Sequence, residues 1–128
     1  MNYFLLAAGG AIGTLLRFSV VSYSYSLYKS SVFPWGTLLV NLSGSLLIGI
    51  LAAITEHQEM NPAVKIFLFT GILGGFTTFS AFSLETLQLI RQSQLTSAAI
   101  YVLASTLLGL TMAAFGFFLT RYSIGIFR

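Results

Sequence analysis

At 128 residues, with 56% hydrophobic and only 7% charged side chains, the chain has too little polar surface to clothe a soluble globule of its size, so it belongs in lipid. Cysteine is absent, which excludes disulfides, thiolate metal sites and cysteine nucleophiles. The net charge of +3 comes from cations scattered singly rather than gathered into a patch, so they read as membrane-flanking anchors and nucleic acid is excluded as a partner.

A helix rises about 1.5 Å per residue and must cross about 30 Å of hydrocarbon, so each span needs roughly 20 residues. Four such segments fit, at about 3–28, 36–55, 63–90 and 95–120, and they occupy a single transmembrane domain of residues 1–128. The first is read as a retained span, because it has no basic leader and runs past the length of a signal-peptide core. Its far end carries Tyr23, Tyr25 and Tyr28 as an interfacial belt, closed by Lys29 and the Ser30-Ser31 turn. Pro34 precedes the second span, which ends at the polar run Glu56-His57-Gln58-Glu59, and Asn61-Pro62 restarts the chain. Arg91 and Arg121 mark the ends of the third and fourth. The expected fold class is therefore an all-α membrane protein of four transmembrane helices.

Four crossings put both termini on one side, with Lys65, Arg121 and Arg128, against Lys29 and Arg91 on the other. So small a bias in flanking cations fixes orientation weakly, and it leads to the expectation that subunits insert both ways round and pair antiparallel.

The informative residues are polar groups and glycines at membrane depth. In GGAIGTLLRF, from Gly9 to Phe18, Gly9 and Gly13 have the i, i+4 spacing that lets helices approach closely, and Arg17 follows inside the span. Arg17 either snorkels to an interface or supplies fixed positive charge to a wet vestibule. In PWGTLLVNLSGSLLIG, from Pro34 to Gly49, the Asn41 amide either hydrogen-bonds between helices or turns its N–H donors to an aqueous pore.

The third span carries the strongest signal. GILGGFTTFSAFSLE, from Gly71 to Glu85, sets a glycine pair and a threonine pair where helix propensity is lowest. Gly74 lies about 11 residues, hence roughly 17 Å, into the span, close to the bilayer midplane. Two readings stand at this point: unbroken small-residue packing, or a helix broken near the midplane whose freed carbonyls are taken up by protein or a bound ion. Directly after it, Phe79 and Phe82 share a face and Ser80 and Ser83 line an adjacent one. Two rings at that spacing serve packing, or offer an anion their positive edges. Glu85 is expected to be a hydrogen-bonded group at the end of the span rather than a proton carrier. Ser105, Thr106 and Thr111 of the fourth span are pore hydroxyls or helix-packing groups. The lone His57 beside two glutamates makes no metal site, and GGAIG follows no strand and so is no dinucleotide fingerprint. Nothing places a nucleophile beside a base, which excludes an enzyme.

These three stretches, in this order on a four-span chain, resemble the Fluc (CrcB) family of fluoride channels over essentially the whole length, with Gly74 to Glu85 as the most diagnostic run. The resemblance implies a passive fluoride channel of the inner or plasma membrane, built as an antiparallel homodimer with two pores and a structural sodium ion at its interface. Carried over residue by residue, it implies that the backbone carbonyls of Gly74 and Thr77 bind sodium and that Asn41 donates to fluoride. Phe79 and Phe82 would be the rings that fluoride passes edge-on, with Ser80 and Ser83 beside them and Arg17 towards the vestibule. Ala81 departs from the family's usual TTFSTFS pattern and removes a hydroxyl from this run, and Phe18 stands where a tyrosine or tryptophan is common. Two other functions fit a short four-span chain: a proton-coupled exporter like the small multidrug transporters, which needs an intramembrane carboxylate, and a structural subunit of a larger complex.

Overall fold

The computed structural model describes residues 2–29 and 31–126; Arg128 and Ser30, used above for charge bias and for the first turn, lie outside the described residues. Helix α1 is Asn2–Leu27 and α2 is Trp35–His57. Helix α3 covers residues 62–76, in which the π-helical Ile66–Leu73 stands between the α-helical turns Pro62–Lys65 and Gly74–Phe76. Helix α4 is Phe79–Arg91, and α5 covers residues 95–126 with a second π-helical segment at Ala104–Leu108. Four stretches are long and apolar enough to cross a membrane: Asn2–Leu27, Trp35–His57, Pro62–Arg91 and Leu95–Gly125. There is no strand among the described residues.

Local chemistry sets these boundaries. Asn61 caps α3, its Oδ1 accepting from the Ala63 N–H at 2.9 Å, and Pro62 at the first helical position gives up no needed donor. The end of α4 turns through Ser93, whose φ of 59° is left-handed, and the Gln94 N–H closes on the Leu89 carbonyl at 2.8 Å. The last helix runs past the expected limit near Thr120, because Arg121 does not end it. Its guanidinium reaches back 4.0 Å to Glu56 at the end of α2, both side chains being more than half exposed.

With no hydrophobic drive between helices in lipid, close backbone approach has to hold the bundle together. At Gly13 a Cβ would collide with the Ile72 carbonyl oxygen, and at Gly9 it would stand 2.8 Å from the Phe67 carbonyl oxygen, so α1 lies directly on α3. On the other side α2 packs along α5, where a Cβ at Gly49 would strike the Ala113 carbonyl oxygen. Large apolar side chains from Leu15 and Phe18 to Leu110 and Phe118 remain exposed.

Candidate functional site

Between α3 and α4, two residues leave the helix. Thr77 has φ −78° and ψ 157°, Thr78 has φ −151° and ψ 125°, and helical geometry resumes at Phe79. The interruption does not fall on the glycines. Gly74 and Gly75 stay helical, and Gly75 serves close packing instead, since a Cβ there would lie 2.6 Å from the Gly10 carbonyl oxygen. Threonines suit the extended pair because they can bond their own backbone. The Thr78 hydroxyl accepts from the Ala81 N–H at 3.2 Å and caps α4, while the Thr77 hydroxyl donates to the Leu73 carbonyl at 2.9 Å and closes the end of α3.

From α2, Asn41 clamps this segment with its whole amide. Its Oδ1 accepts from the Thr78 N–H at 2.9 Å and its Nδ2 donates to the Thr78 carbonyl at 3.0 Å, a reciprocal pair across 37 residues of sequence. Gly44, one turn on, leaves room for the Thr77 methyl. An asparagine amide has two N–H donors, so one remains for a ligand. The break withholds the regular donors of four carbonyls, those of Gly74, Gly75, Phe76 and Thr77. The regular donor to the Gly74 carbonyl, the Thr78 N–H, is taken by Asn41, and the regular donor to the Thr77 carbonyl, the Ala81 N–H, is turned to the Thr78 hydroxyl.

The interrupted segment borders an open groove of about 520 Å³ between α2, α3, α4 and α5. Of the residues singled out from sequence, Asn41, Gly74, Thr77, Phe79 and Phe82 all line it. Phe79 and Phe82 stand 5.6 Å apart by ring centroid, tilted by 45°. Ser80, Ser83 and Arg17 are not part of its wall in the single chain. Ser80 lies 3.3 Å from the Thr78 hydroxyl, the exposed Ser83 donates to the Phe79 carbonyl at 2.9 Å, and Arg17 is half-buried on α1. Ser105 also lines the groove, and its hydroxyl is buried without a hydrogen-bond partner in the chain. Thr106 and Thr111 bond back to the carbonyls of Val102 and Leu107 at 2.8 and 2.7 Å.

Beyond Phe82 lies a polar cluster that sequence reasoning found only in part. Glu85 accepts from the Thr37 hydroxyl at 2.7 Å through Oε1 and from the Tyr101 hydroxyl at 2.7 Å through Oε2. Tyr101 is fully buried and Thr37 nearly so. The expectation of a hydrogen-bonded Glu85 describes this geometry, but its partners went unnamed, since a tyrosine in a span looks like packing until its hydroxyl has a place to go. Tyr101→Phe removes one of the two donors and is expected to lower the thermal midpoint, at a cost of about 0.5–1.5 kcal/mol for the lost hydrogen bond. A melting curve of the purified protein in detergent, matching that of the wild type, would show that the contact contributes nothing.

A family model described as CrcB-like protein, Camphor Resistance (CrcB) matches residues 4–117. Among curated proteins, one from Rhizobium meliloti (strain 1021) named fluoride-specific ion channel FluC is 47% identical over 116 residues, which is 89% of this chain and 90% of that protein. Proteins of the same name from Parabacteroides distasonis, 43% identical over 100% of this chain and 99% of the relative, and from Helicobacter pylori (strain HPAG1), 41% identical over 98% and 99%, align along nearly their full length.

Proposed function

Because this chain belongs to the CrcB family, whose members are ion channels and not enzymes, we propose that it is a fluoride-selective channel of the cell's inner or plasma membrane, exporting fluoride passively. Two copies pair antiparallel across the groove, and the assembly holds two pores, each lined by both subunits. The observation that carries this reading is the helix interruption at Thr77–Thr78, clamped by Asn41 and bordering an open groove. Extended backbone at membrane depth is tolerated where it is buried in protein, lines a polar passage or meets a bound ion, and not against lipid; here it borders an open groove.

The energetics set the requirements. Stripping an ion of water costs tens of kcal/mol in a low-dielectric medium, whereas one hydrogen bond to a charged group returns roughly 1.5–3. The spare Asn41 N–H cannot suffice alone. Wet vestibules, the Ser105 hydroxyl, and the ring edges of Phe79 and Phe82 add contacts that suit a small, strongly accepting anion. Arg17 would serve as a vestibule charge, and Ser80 and Ser83 as hydroxyls brought to the path by the second subunit. A unit positive charge about 10 Å away adds about 1.7 kcal/mol at an effective dielectric of 20, so fixed cations help without deciding the matter.

The carbonyls of Gly74 and Thr77 fit a structural sodium ion. Both have their regular donors diverted, both residues border the groove, and oxygen ligands are the type a hard monovalent cation takes. Two antiparallel chains would bring four such oxygens to one point on the dimer axis. The carbonyl oxygens there, which lipid cannot satisfy, would gain a cation as partner.

Phe82→Ile is expected to slow fluoride efflux several-fold with dimer mass unchanged, because an aliphatic side chain offers no positive edge. An unaltered rate would assign that ring to packing. The exporter reading is tested by fluoride flux with and without a proton gradient: a channel runs down the fluoride gradient alone, whereas an absolute requirement for a proton gradient would favour exchange at Glu85. Paired antiparallel insertion requires a C-terminal tag to appear on both faces of the membrane; its appearance on one face alone would defeat that arrangement.

A further inference from the structure

The segment joining α1 to α2 sends one ring into the interior. Phe33 lies two residues before α2 and packs against the buried cluster of Leu38, Leu89, Ala98 and Tyr101. Its ring meets that of Tyr101 edge-on, with centroids 5.5 Å apart and planes at 77°, and it also meets Trp35 at 4.6 Å. Tyr101 stands 5.2 Å from Phe82, and Phe82 stands 5.6 Å from Phe79. An unbroken series of rings therefore runs from the groove wall to the connecting segment. The backbone holds Phe33 in place: its N–H donates to the Ser31 hydroxyl at 3.2 Å, its carbonyl accepts from the Trp35 N–H at 2.9 Å, and Pro34 between them has a fixed φ.

The same segment also covers Glu85. Val32 and Pro34 line a small cavity of about 50 Å³ together with Glu85, Gln88 and Gln92. So the carboxylate that receives the Tyr101 hydroxyl is bounded by this segment directly, and the tyrosine ring is bounded by it through Phe33.

Resting on the fluoride-channel reading, we infer that Phe33 is a positioning residue for conduction. It lies outside the groove lining. By bracing the Tyr101 ring from the connecting segment, it keeps the Tyr101 hydroxyl on Glu85 and the Phe82 ring in the groove wall. Packed aromatic rings transmit a displacement because the interior has no slack to absorb it.

The test uses two readouts on the full-length protein. Trp35 is the chain's single tryptophan, so its emission reports the outer end of the ring series. Tyr101→Phe frees the ring from Glu85 and is expected to shift Trp35 emission, whereas the same change made together with Phe33→Leu leaves the emission where Phe33→Leu alone sets it. In vesicles, Phe33→Leu is expected to lower fluoride efflux about tenfold with dimer mass unchanged, while Phe33→Tyr, which keeps the ring, retains the wild-type rate. Phe33→Met takes the place of Phe33→Leu if the latter yields no folded protein. Wild-type efflux without the ring overturns the inference; so does an emission shift on Tyr101→Phe that is missing with Phe33 present or persists with Phe33 removed. Wild-type protein that carries no fluoride overturns the channel reading and the conduction role together, and the emission result then shows separately whether the rings are coupled.

Discussion

Asn41→Asp is expected to abolish fluoride efflux, lowering it at least about a hundredfold, while the protein still assembles. Asparagine at this position does two jobs with one amide: Oδ1 accepts from the Thr78 N–H and Nδ2 donates to the Thr78 carbonyl. Aspartate keeps the acceptor and loses both donors, so a carboxylate faces the Thr78 carbonyl oxygen at hydrogen-bond distance. Leaving that buried carbonyl unpaired costs about 1–3 kcal/mol. The new negative charge then acts on any anion entering the groove, at about 1.7 kcal/mol for a separation of 10 Å and more at closer range. Each factor of ten in rate is about 1.4 kcal/mol, so repulsion at a separation of about 6 Å, about 2.8 kcal/mol, supplies the two factors of ten by itself. Efflux from vesicles at the wild-type rate would remove Asn41 from the pathway. Gel filtration that shows aggregated protein would instead assign the amide to folding.

Gly13→Leu is expected to prevent folding altogether. The first atom added at this position already collides with the Ile72 carbonyl oxygen and stands 2.8 Å from the Phe76 nitrogen. Neither is a side chain that can swing away; both belong to the backbone of α3, just before the interruption. Overpacking a core that can adjust costs about 1–3 kcal/mol, and a clash with backbone exceeds that. Moving α3 outward would also carry Thr78 off the Asn41 amide, so the loss of packing and the loss of the clamp go together. Gly125→Ala is the matched control, since a Cβ there meets nothing within 4 Å. The yield of monodisperse protein in detergent distinguishes them: normal for Gly125→Ala, absent for Gly13→Leu. A well-folded Gly13→Leu protein would mean that α1 does not lie on α3 as described.

Hydropathy alone is enough to count the four membrane-capable stretches, because a span long enough for lipid leaves few other readings of such a chain. The glycine spacing in GGAIG pointed to close approach for the same reason, as a small residue at i and i+4 has one common use in a membrane. Other features needed the third dimension. Intrinsic propensity marks the glycine pair and the threonine pair alike, but not that the extended backbone falls on the threonines, where their hydroxyls and the Asn41 amide replace the lost helical bonds. Propensity weighs each residue by itself and cannot register a partner 37 positions away. Thr37 and Tyr101 were invisible for a related reason: each is ordinary in its own helix, and only their meeting at Glu85 gives them a role. The π-helical segments on either side of the groove, Ile66–Leu73 and Ala104–Leu108, share no residue pattern that sets them apart from the α-helical turns beside them.

The backbone that departs from helix at Thr77 and Thr78 needs protein, water or an ion to satisfy it at membrane depth, and the proposed function makes it the frame of an ion path. Fluoride efflux from vesicles that contain this protein and no other, followed beside chloride efflux under the same gradient, examines that directly. Rapid loss of fluoride with chloride retained is the expected outcome. Equal leakage of both ions, or retention of both, would contradict it.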